Sequence, residues 1–314
     1  MTRIIDLRLD FPLSANDIAE MVKYFVLSED KSGIANYIRI FGPQWEASLG
    51  FGFEELEKKA AALPSEELDK MLKKIAGRMV VTPEQFKGQL DKAGIEWGLI
   101  EADDIQKTAK LVSKLPEKLK GIALFNPFTG TRGIKEVEQA VKEMDFAAIY
   151  ASPYKWGIKA DDPRFFPVYA KAVELNVPVF IYTAMNYRTD LPMDIGRPLY
   201  LDKVAMSFPD LKIIASCGGW PWVPELIGVA RRHGNIYIDT SSHRPKYLGM
   251  SGSGFEMLMQ FGNTLLQDRI VFASGAGDLG LSIEQIVQEV KELPLKDKVK
   301  EKWLYHNAAA LFPK

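Results

Sequence analysis

Eight short segments rich in β-branched and aromatic residues recur along the chain, and each precedes a longer segment whose apolar residues have helical spacing. From the second onward they begin roughly 24 to 35 residues apart, the length of one strand and a returning helix. Several are continuously apolar, which is typical of parallel strands buried on both faces. The predicted strands are residues 4–9, 97–101, 121–126, 147–151, 177–182, 212–216, 236–239 and 270–273.

This repetition predicts an α/β fold, a (β/α)8 TIM barrel that forms one domain over residues 1–314. The alternative is an open doubly wound sheet. No Gly-x-Gly-x-x-Gly follows an early strand, so a dinucleotide site has no support.

A helical insertion of about residues 13–96 follows the first strand, with predicted helices at 53–63, 65–78 and 82–93. It leaves the barrel at the carboxyl ends of the strands, so it can cover the site or form a subunit contact, and the sequence leaves both open. Its apolar and aromatic residues favour a homodimer or larger homo-oligomer; they are Tyr37, Ile40, Phe41, Trp45 and Phe51.

Charge and composition exclude several classes of protein. The 40 Lys and Arg residues balance 41 Asp and Glu residues, so we expect no nucleic-acid partner and no anionic membrane surface. No apolar run approaches the length of a membrane span, about 18 residues. The single cysteine, Cys217, precludes an internal disulfide, and the first residues lack a secretory signal, so we expect a cytoplasmic protein.

Candidate functional residues stand where strands end, because TIM barrels place their active sites at the carboxyl ends of the strands. Strict alternation places Asp6, Arg8 and Asp10 of the first strand on one face. Arg8 offers a fixed positive charge and a bidentate fork for a substrate carboxylate, and Asp10 can act as proton donor or base. The alternative is a buried ion network in which Arg8 pairs with Asp6, Asp10 or Asp278.

The other candidates follow the later strands. Tyr182 can donate to an oxyanion or be a packed ring, and His243 is the one histidine near the barrel mouth that can transfer protons. Asp278 can enter the site or cap the helix near Leu281. Cys217 can be a nucleophile if a cation lowers the pKa of its thiol, can contact substrate, or can be a small core residue. Two further residues are predicted to bind substrate, namely Asn186 and Trp220.

Six stretches, taken in order along the chain, read IID (4–6), DDPRFFPVY (161–169), VPVFIYT (177–183), GGWPWV (218–223), NIYIDTS (235–241) and NAAALF (307–312). Together they resemble the amidohydrolase superfamily, in the amidohydrolase-related branch that includes aminocarboxymuconate-semialdehyde decarboxylase, related carboxy-lyases and lactone hydrolases. The resemblance covers nearly the whole chain and implies the same barrel fold.

Members of this type bind a divalent metal through a His-x-His pair on the first strand, histidines ending the fifth and sixth strands, and an aspartate ending the eighth. The matching positions in this sequence hold Arg8, Asp10, Tyr182, Cys217 and Gly275. We therefore expect no metal and no other cofactor, because a guanidinium repels a cation and the remaining donors mix hard and soft ligands.

The resemblance implies a metal-independent enzyme for a small carboxylated cyclic or aromatic substrate, most simply a carboxy-lyase that cleaves a C–C bond. Two alternatives stay open. One is a hydrolase or hydratase of a lactone or unsaturated ring acid, in which Asp10 activates water. The other is a relative that binds a small acid without catalysis, because fold alone does not fix activity.

Overall fold

The computed structural model describes residues 3–10, 14–27, 36–37, 40, 42–43, 46, 50, 52–78 and 80–312. Eight parallel strands pair with one another in sequence order. The Leu7 N–H donates to the Phe272 carbonyl over 3.0 Å and joins the last strand to the first, so the predicted (β/α)8 barrel is confirmed. The strands are β1 Ile4–Leu9, β2 Ile95–Ile100, β3 Leu119–Leu124, β4 Phe146–Ala151, β5 Val179–Tyr182, β6 Ile213–Ser216, β7 Ile236–Asp239 and β8 Ile270–Val271.

Every predicted strand exists, but several bounds differ by two residues. The β5 ladder begins at Val179 and not at residue 177, because Pro178 has no N–H to donate. Strand β2 begins at Ile95, directly after the left-handed Gly94 that ends the preceding helix.

Helices alternate with the strands. They are α1 Ala15–Leu27, α2 Phe53–Ala62, α3 Ser65–Ala76, α4 Pro83–Ala93, α5 Ile105–Val112, α6 Thr131–Glu143, α7 Pro153–Trp156, α8 Phe166–Leu175, α9 Tyr200–Ser207, α10 Val223–Arg232, α11 Pro245–Leu248, α12 Glu256–Gly262, α13 Ala276–Leu279, α14 Ile283–Lys291, α15 Asp297–Glu301 and α16 Asn307–Leu311. In the part of the chain that the structure describes, none is long and apolar enough to cross a membrane.

The core has two layers. Residues from nearly every strand meet inside the barrel, among them Leu7, Leu99, Tyr150 and Phe180, and α16 packs against this cluster. The larger layer lies between the outer faces of the strands and the helices. A filled barrel interior leaves the strand ends as the place for a site.

The predicted insertion is shorter than expected. Helices α1, α2 and α3 pack on one another in a separate apolar cluster. Helix α4 instead buries Phe86 and Leu90 in the main core, so it is the return helix of the first βα unit. Thr82 begins α4 with a capping box, accepting from the Gln85 N–H.

Candidate active site

Irregular pairing of β1 determines what faces the barrel mouth. Ile5 and Leu7 pack in the interior cluster, so strict alternation would turn Arg8 outward. A shift in the β1 register between Asp6 and Leu9 breaks the alternation. The predicted common face of Asp6, Arg8 and Asp10 is therefore wrong for Asp6. The Asp6 carboxylate is buried and accepts from the backbone N–H groups of Arg8 and Ser274.

Arg8 is a cation with few partners. Its Nη2 lies 3.7 Å from the Asp278 Oδ2, and its guanidinium makes no hydrogen bond to any residue that the structure describes. Its side chain keeps 30% of its accessible surface. Because a guanidinium has five N–H donors, Arg8 retains donors for an anion.

Two aspartates adjoin Arg8. The Asp278 Oδ2 accepts from the Ser242 hydroxyl over 2.8 Å, and the Asp10 Oδ2 accepts from the Gly277 N–H over 2.6 Å. A Cβ at position 277 would lie 3.0 Å from Asp10, so glycine permits this close approach. Asp278 thus enters the site, and the helix-capping alternative is wrong because the Ser282 hydroxyl caps α14.

The surroundings of Asp10 favour its protonated form. Burial among protein atoms and the neighbouring Asp278 raise the pKa of the Asp10 carboxyl, although Arg8 opposes them. The carboxyl still keeps contact with solvent. Asp10 is therefore able to hold a proton next to the cation, as its predicted role in proton transfer requires.

Sequence reasoning missed Glu101 and Tyr150. Both interact electrostatically with Arg8, and burial raises the pKa of Glu101 to about 7 even though Arg8 and Lys155 lower it. Glu101 closes the predicted segment 97–101, so its position at a strand end was the available signal. The inward orientation of Tyr150 follows only from the β4 register.

Cys217 is held in place by β7. It has a left-handed backbone with φ of 68°, its N–H donates to the buried Asp239 over 3.0 Å, and its Sγ lies 3.8 Å from the Ser241 Oγ. Burial raises the pKa of its thiol despite the proximity of Arg8. Cys217 is therefore a neutral thiol beside Arg8, and a nucleophilic role has no support.

His243 contacts the loop that follows β6 and the aromatic ring of Phe255. Its Nε2 lies 3.1 Å from the Cys217 carbonyl oxygen, and its ring packs edge-on against Phe255. Burial lowers its pKa to about 4, so the imidazole is neutral at neutral pH. Its predicted role in proton transfer gains no geometric support.

Tyr182 and Asn186 use their polar groups within the loop after β5. The Tyr182 hydroxyl donates to the Met185 carbonyl over 2.7 Å. The Asn186 amide donates to the Pro192 carbonyl and accepts from the Arg188 N–H. These bonds give both residues a structural role in the loop, and their predicted contacts with substrate stay predictions.

Tyrosine rings extend from Tyr182 toward the insertion. The Tyr154 ring centroid lies 5.5 Å from that of Tyr182 and 6.1 Å from that of Tyr37, which in turn lies 5.8 Å from that of Tyr187. Of the residues used to predict oligomerisation, Tyr37 thus packs on the loops after β4 and β5, while Phe41, Trp45 and Phe51 lie outside the described residues. This contact favours the covering role of the insertion.

The donor set does not fit the divalent metal that the resemblance implies. The matching positions hold the Arg8 guanidinium, Gly275 without a side chain, and Tyr182, whose hydroxyl proton is engaged. Among the residues that the structure describes, no group of three His, Cys, Asp or Glu side chains is arranged to hold a metal ion.

We predict that Asp6 makes stability depend on pH. Burial raises the pKa of its carboxyl from 3.8 to about 7, so between pH 4 and 7 the folded state binds more protons than the unfolded state. The free energy of unfolding should therefore fall as pH rises through this window, by about 4 kcal/mol at most from this group. Asp6→Asn keeps an acceptor oxygen and should flatten the profile in urea titrations. The control is Asp297→Asn, because the Asp297 side chain is 97% exposed. If the free energy of unfolding changes with pH in the same way in the parent and in Asp6→Asn, the prediction is wrong.

Comparisons with known proteins agree with this fold. The amidohydrolase family model matches residues 56–314. An uncharacterised TIM-barrel protein from Bordetella bronchiseptica is 22% identical over 98% of both chains, with a TM-score of 0.68. The 5-carboxyvanillate decarboxylase from Sphingomonas paucimobilis is 15% identical over 99% of both chains (TM-score 0.61). A probable 2-pyrone-4,6-dicarboxylic acid hydrolase from Acinetobacter baumannii is 14% identical, covering 75% of this chain and 90% of its own (TM-score 0.55). These structures share the barrel, and the match over most of the sequence shows that the chain belongs to the amidohydrolase family.

Proposed function

We propose that the protein is a metal-independent carboxy-lyase that removes CO2 from a small carboxylated cyclic or aromatic acid. The observation that carries this proposal is Arg8, a cation at the barrel mouth whose guanidinium has one ion pair, at 3.7 Å, and no hydrogen bond among the described residues. A guanidinium in a partly dry site binds oxyanions strongly and with defined geometry.

The proposed reaction needs one proton and no redox partner. The C–C bond to the carboxylate breaks, CO2 leaves, and the electron pair on the ring carbon takes a proton from an acidic side chain. Arg8 binds a carboxylate or enolate oxygen of the substrate. Asp10 or Glu101 supplies this proton, because desolvation by the surrounding protein atoms raises the pKa of both carboxyls and both interact electrostatically with Arg8.

The structural neighbours support this reaction class. They include decarboxylases of 5-carboxyvanillate and 2,6-dihydroxybenzoate, both aromatic acids. The second candidate is hydrolysis of a cyclic ester, supported by the pyrone dicarboxylic acid hydrolase among the neighbours. In that reaction ionised Asp10, next to Arg8, activates water.

Release of CO2 from the two neighbour substrates, 5-carboxyvanillate and 2,6-dihydroxybenzoate, tests the proposal. We expect chelator-treated protein to release CO2 and the product to carry one solvent-derived hydrogen at the decarboxylated carbon. Asp10→Asn and Glu101→Gln identify the proton donor, and Asp297→Asn is the control. Ring opening of a pyrone dicarboxylate without CO2 release would establish the hydrolase instead.

We predict that the protein purified without added metal contains well under one zinc, iron, manganese or cobalt ion per chain. The reason is that Arg8 and Gly275 occupy two positions that hold metal ligands in the family pattern, whereas a guanidinium does not ligate a metal ion and glycine has no side-chain donor. Elemental analysis measures the content. One full equivalent of metal, lost together with activity on chelation, would contradict the prediction.

We also propose a homodimer or larger homo-oligomer, from the apolar content of the insertion and from the family resemblance. Multi-angle light scattering at micromolar concentration should give at least twice the mass of one chain. A monomer at every concentration tested would contradict this proposal.

A further inference from the structure

A depression of about 240 Å³ lies beside the barrel mouth. Its walls come from the loops that follow β5, β6 and β7 and are largely aromatic, including Tyr187, Trp220, Tyr247 and Phe255. An apolar cavity of about 150 Å³ is enough for a benzene ring. The depression therefore has room for one substituted aromatic ring.

His243 gives this depression a defined hydrogen-bonding character. Its Nε2 lies 3.1 Å from the Cys217 carbonyl oxygen, which can only accept, so Nε2 carries the proton. The imidazole is neutral, as its burial also favours, and Nδ1 is then an acceptor. Nδ1 makes no hydrogen bond to any described residue, although His243 lines the depression.

Trp220 supplies the complementary group. Its indole packs against Gly254, where a Cβ would lie 3.3 Å from Nε1. The Nε1–H donates to no residue in the described part of the chain, and Trp220 lines the same depression. A hydroxyl both donates and accepts, so its chemistry matches an acceptor such as His243 Nδ1 and a donor such as the Trp220 Nε1–H.

We propose that the depression is a second subsite of the active site and binds an aromatic ring that carries a hydroxyl group. This inference rests on the proposed function, in which Arg8 binds the carboxylate or enolate oxygen of the substrate. The depression then binds a hydroxylated aromatic ring of the same substrate. None of Arg8, Asp10, Glu101 and Asp278 lines the depression. The two places adjoin at Ser242, whose hydroxyl donates to the Asp278 carboxylate that pairs with Arg8, while the next residue, His243, lines the depression.

Phenol and anisole test the subsite without involving a carboxylate. We follow the Trp220 indole Nε1–H in two-dimensional NMR, assigned by its absence in Trp220→Phe, and titrate each probe. Phenol should bind about fivefold more tightly than anisole, which lacks the donor, since one hydrogen bond contributes about 1 kcal/mol. His243→Gln keeps an N–H for the Cys217 carbonyl but has no acceptor at the Nδ1 position, so there the two probes should bind equally. Equal binding in the parent, or an unchanged preference in a folded His243→Gln variant, would overturn the proposal.

Benzoate separates the subsite from the Arg8 site. Saturating phenol should leave benzoate affinity within about twofold, because the two probes occupy different places, and Arg8→Met should leave phenol affinity unchanged. Displacement of benzoate by phenol would show one site and overturn the second subsite. If Arg8→Met binds benzoate as the parent does while phenol retains its His243-dependent preference, the proposed function fails and the ring site stands.

Discussion

Arg8→Met should weaken benzoate binding by about 30-fold or more, and calorimetry on the parent and variant measures the difference. The expected loss of binding free energy is about 2 to 5 kcal/mol, which is typical of removing one partner from a desolvated, hydrogen-bonded pair of charges. Methionine retains much of the side-chain length but no charge. Arg8→Lys retains the charge and loses the bidentate fork, so it should show an intermediate loss.

The variant must be compared as a folded protein. Arg8 makes no side-chain hydrogen bond to any described residue, and its one ion pair there is with Asp278. Arg8→Met leaves that carboxylate without its cation, so the double variant with Asp278→Asn is the matched control for stability. A folded Arg8→Met protein that binds benzoate like the parent would show that Arg8 is part of the scaffold.

Asp239→Ala should lower the free energy of unfolding by about 3 to 5 kcal/mol, the second large effect. The carboxylate is fully buried and accepts from the N–H groups of Cys217 and Ser241 and from the hydroxyls of Ser216 and Ser241. Alanine leaves two backbone donors buried without an acceptor, and each such donor costs about 1 to 3 kcal/mol. It also leaves a small cavity.

The loop conformations around Asp239 explain why its acceptors are needed. Cys217 and Ser242 both have left-handed backbones, with φ of 68° and 63°, which non-glycine residues adopt only when neighbouring contacts hold them. Asp239→Asn keeps one acceptor oxygen and should cost less than Asp239→Ala. Urea denaturation measures both, with Asp297→Ala as the exposed control. A loss below about 1 kcal/mol for Asp239→Ala would contradict this account.

Much of the barrel was predictable because its signal is local. Buried parallel strands are short and apolar, and return helices have a different spacing of apolar residues, so the sequence alone identifies eight units in order. The bounds of the strands were predictable only to within about two residues, since they depend on single residues such as Pro178 and on register. The insertion ends before α4, because Phe86 of α4 packs in the main core of the barrel. The local sequence pattern does not show which core a helix packs against.

For the candidate site, too, the sequence predicts some features and the tertiary structure determines the others. By itself the sequence places Arg8, Asp10 and Asp278 at the carboxyl ends of strands, because that rule follows from the order of elements in a barrel. It also determines that arginine and glycine replace metal ligands of the family pattern. Only the tertiary structure decides that a register shift brings Arg8 to the mouth, that Asp278 pairs with it, and that His243 belongs to a separate depression. The reason is that side-chain direction and partner choice depend on strand register and loop conformation, which are determined by contacts between residues distant in the sequence.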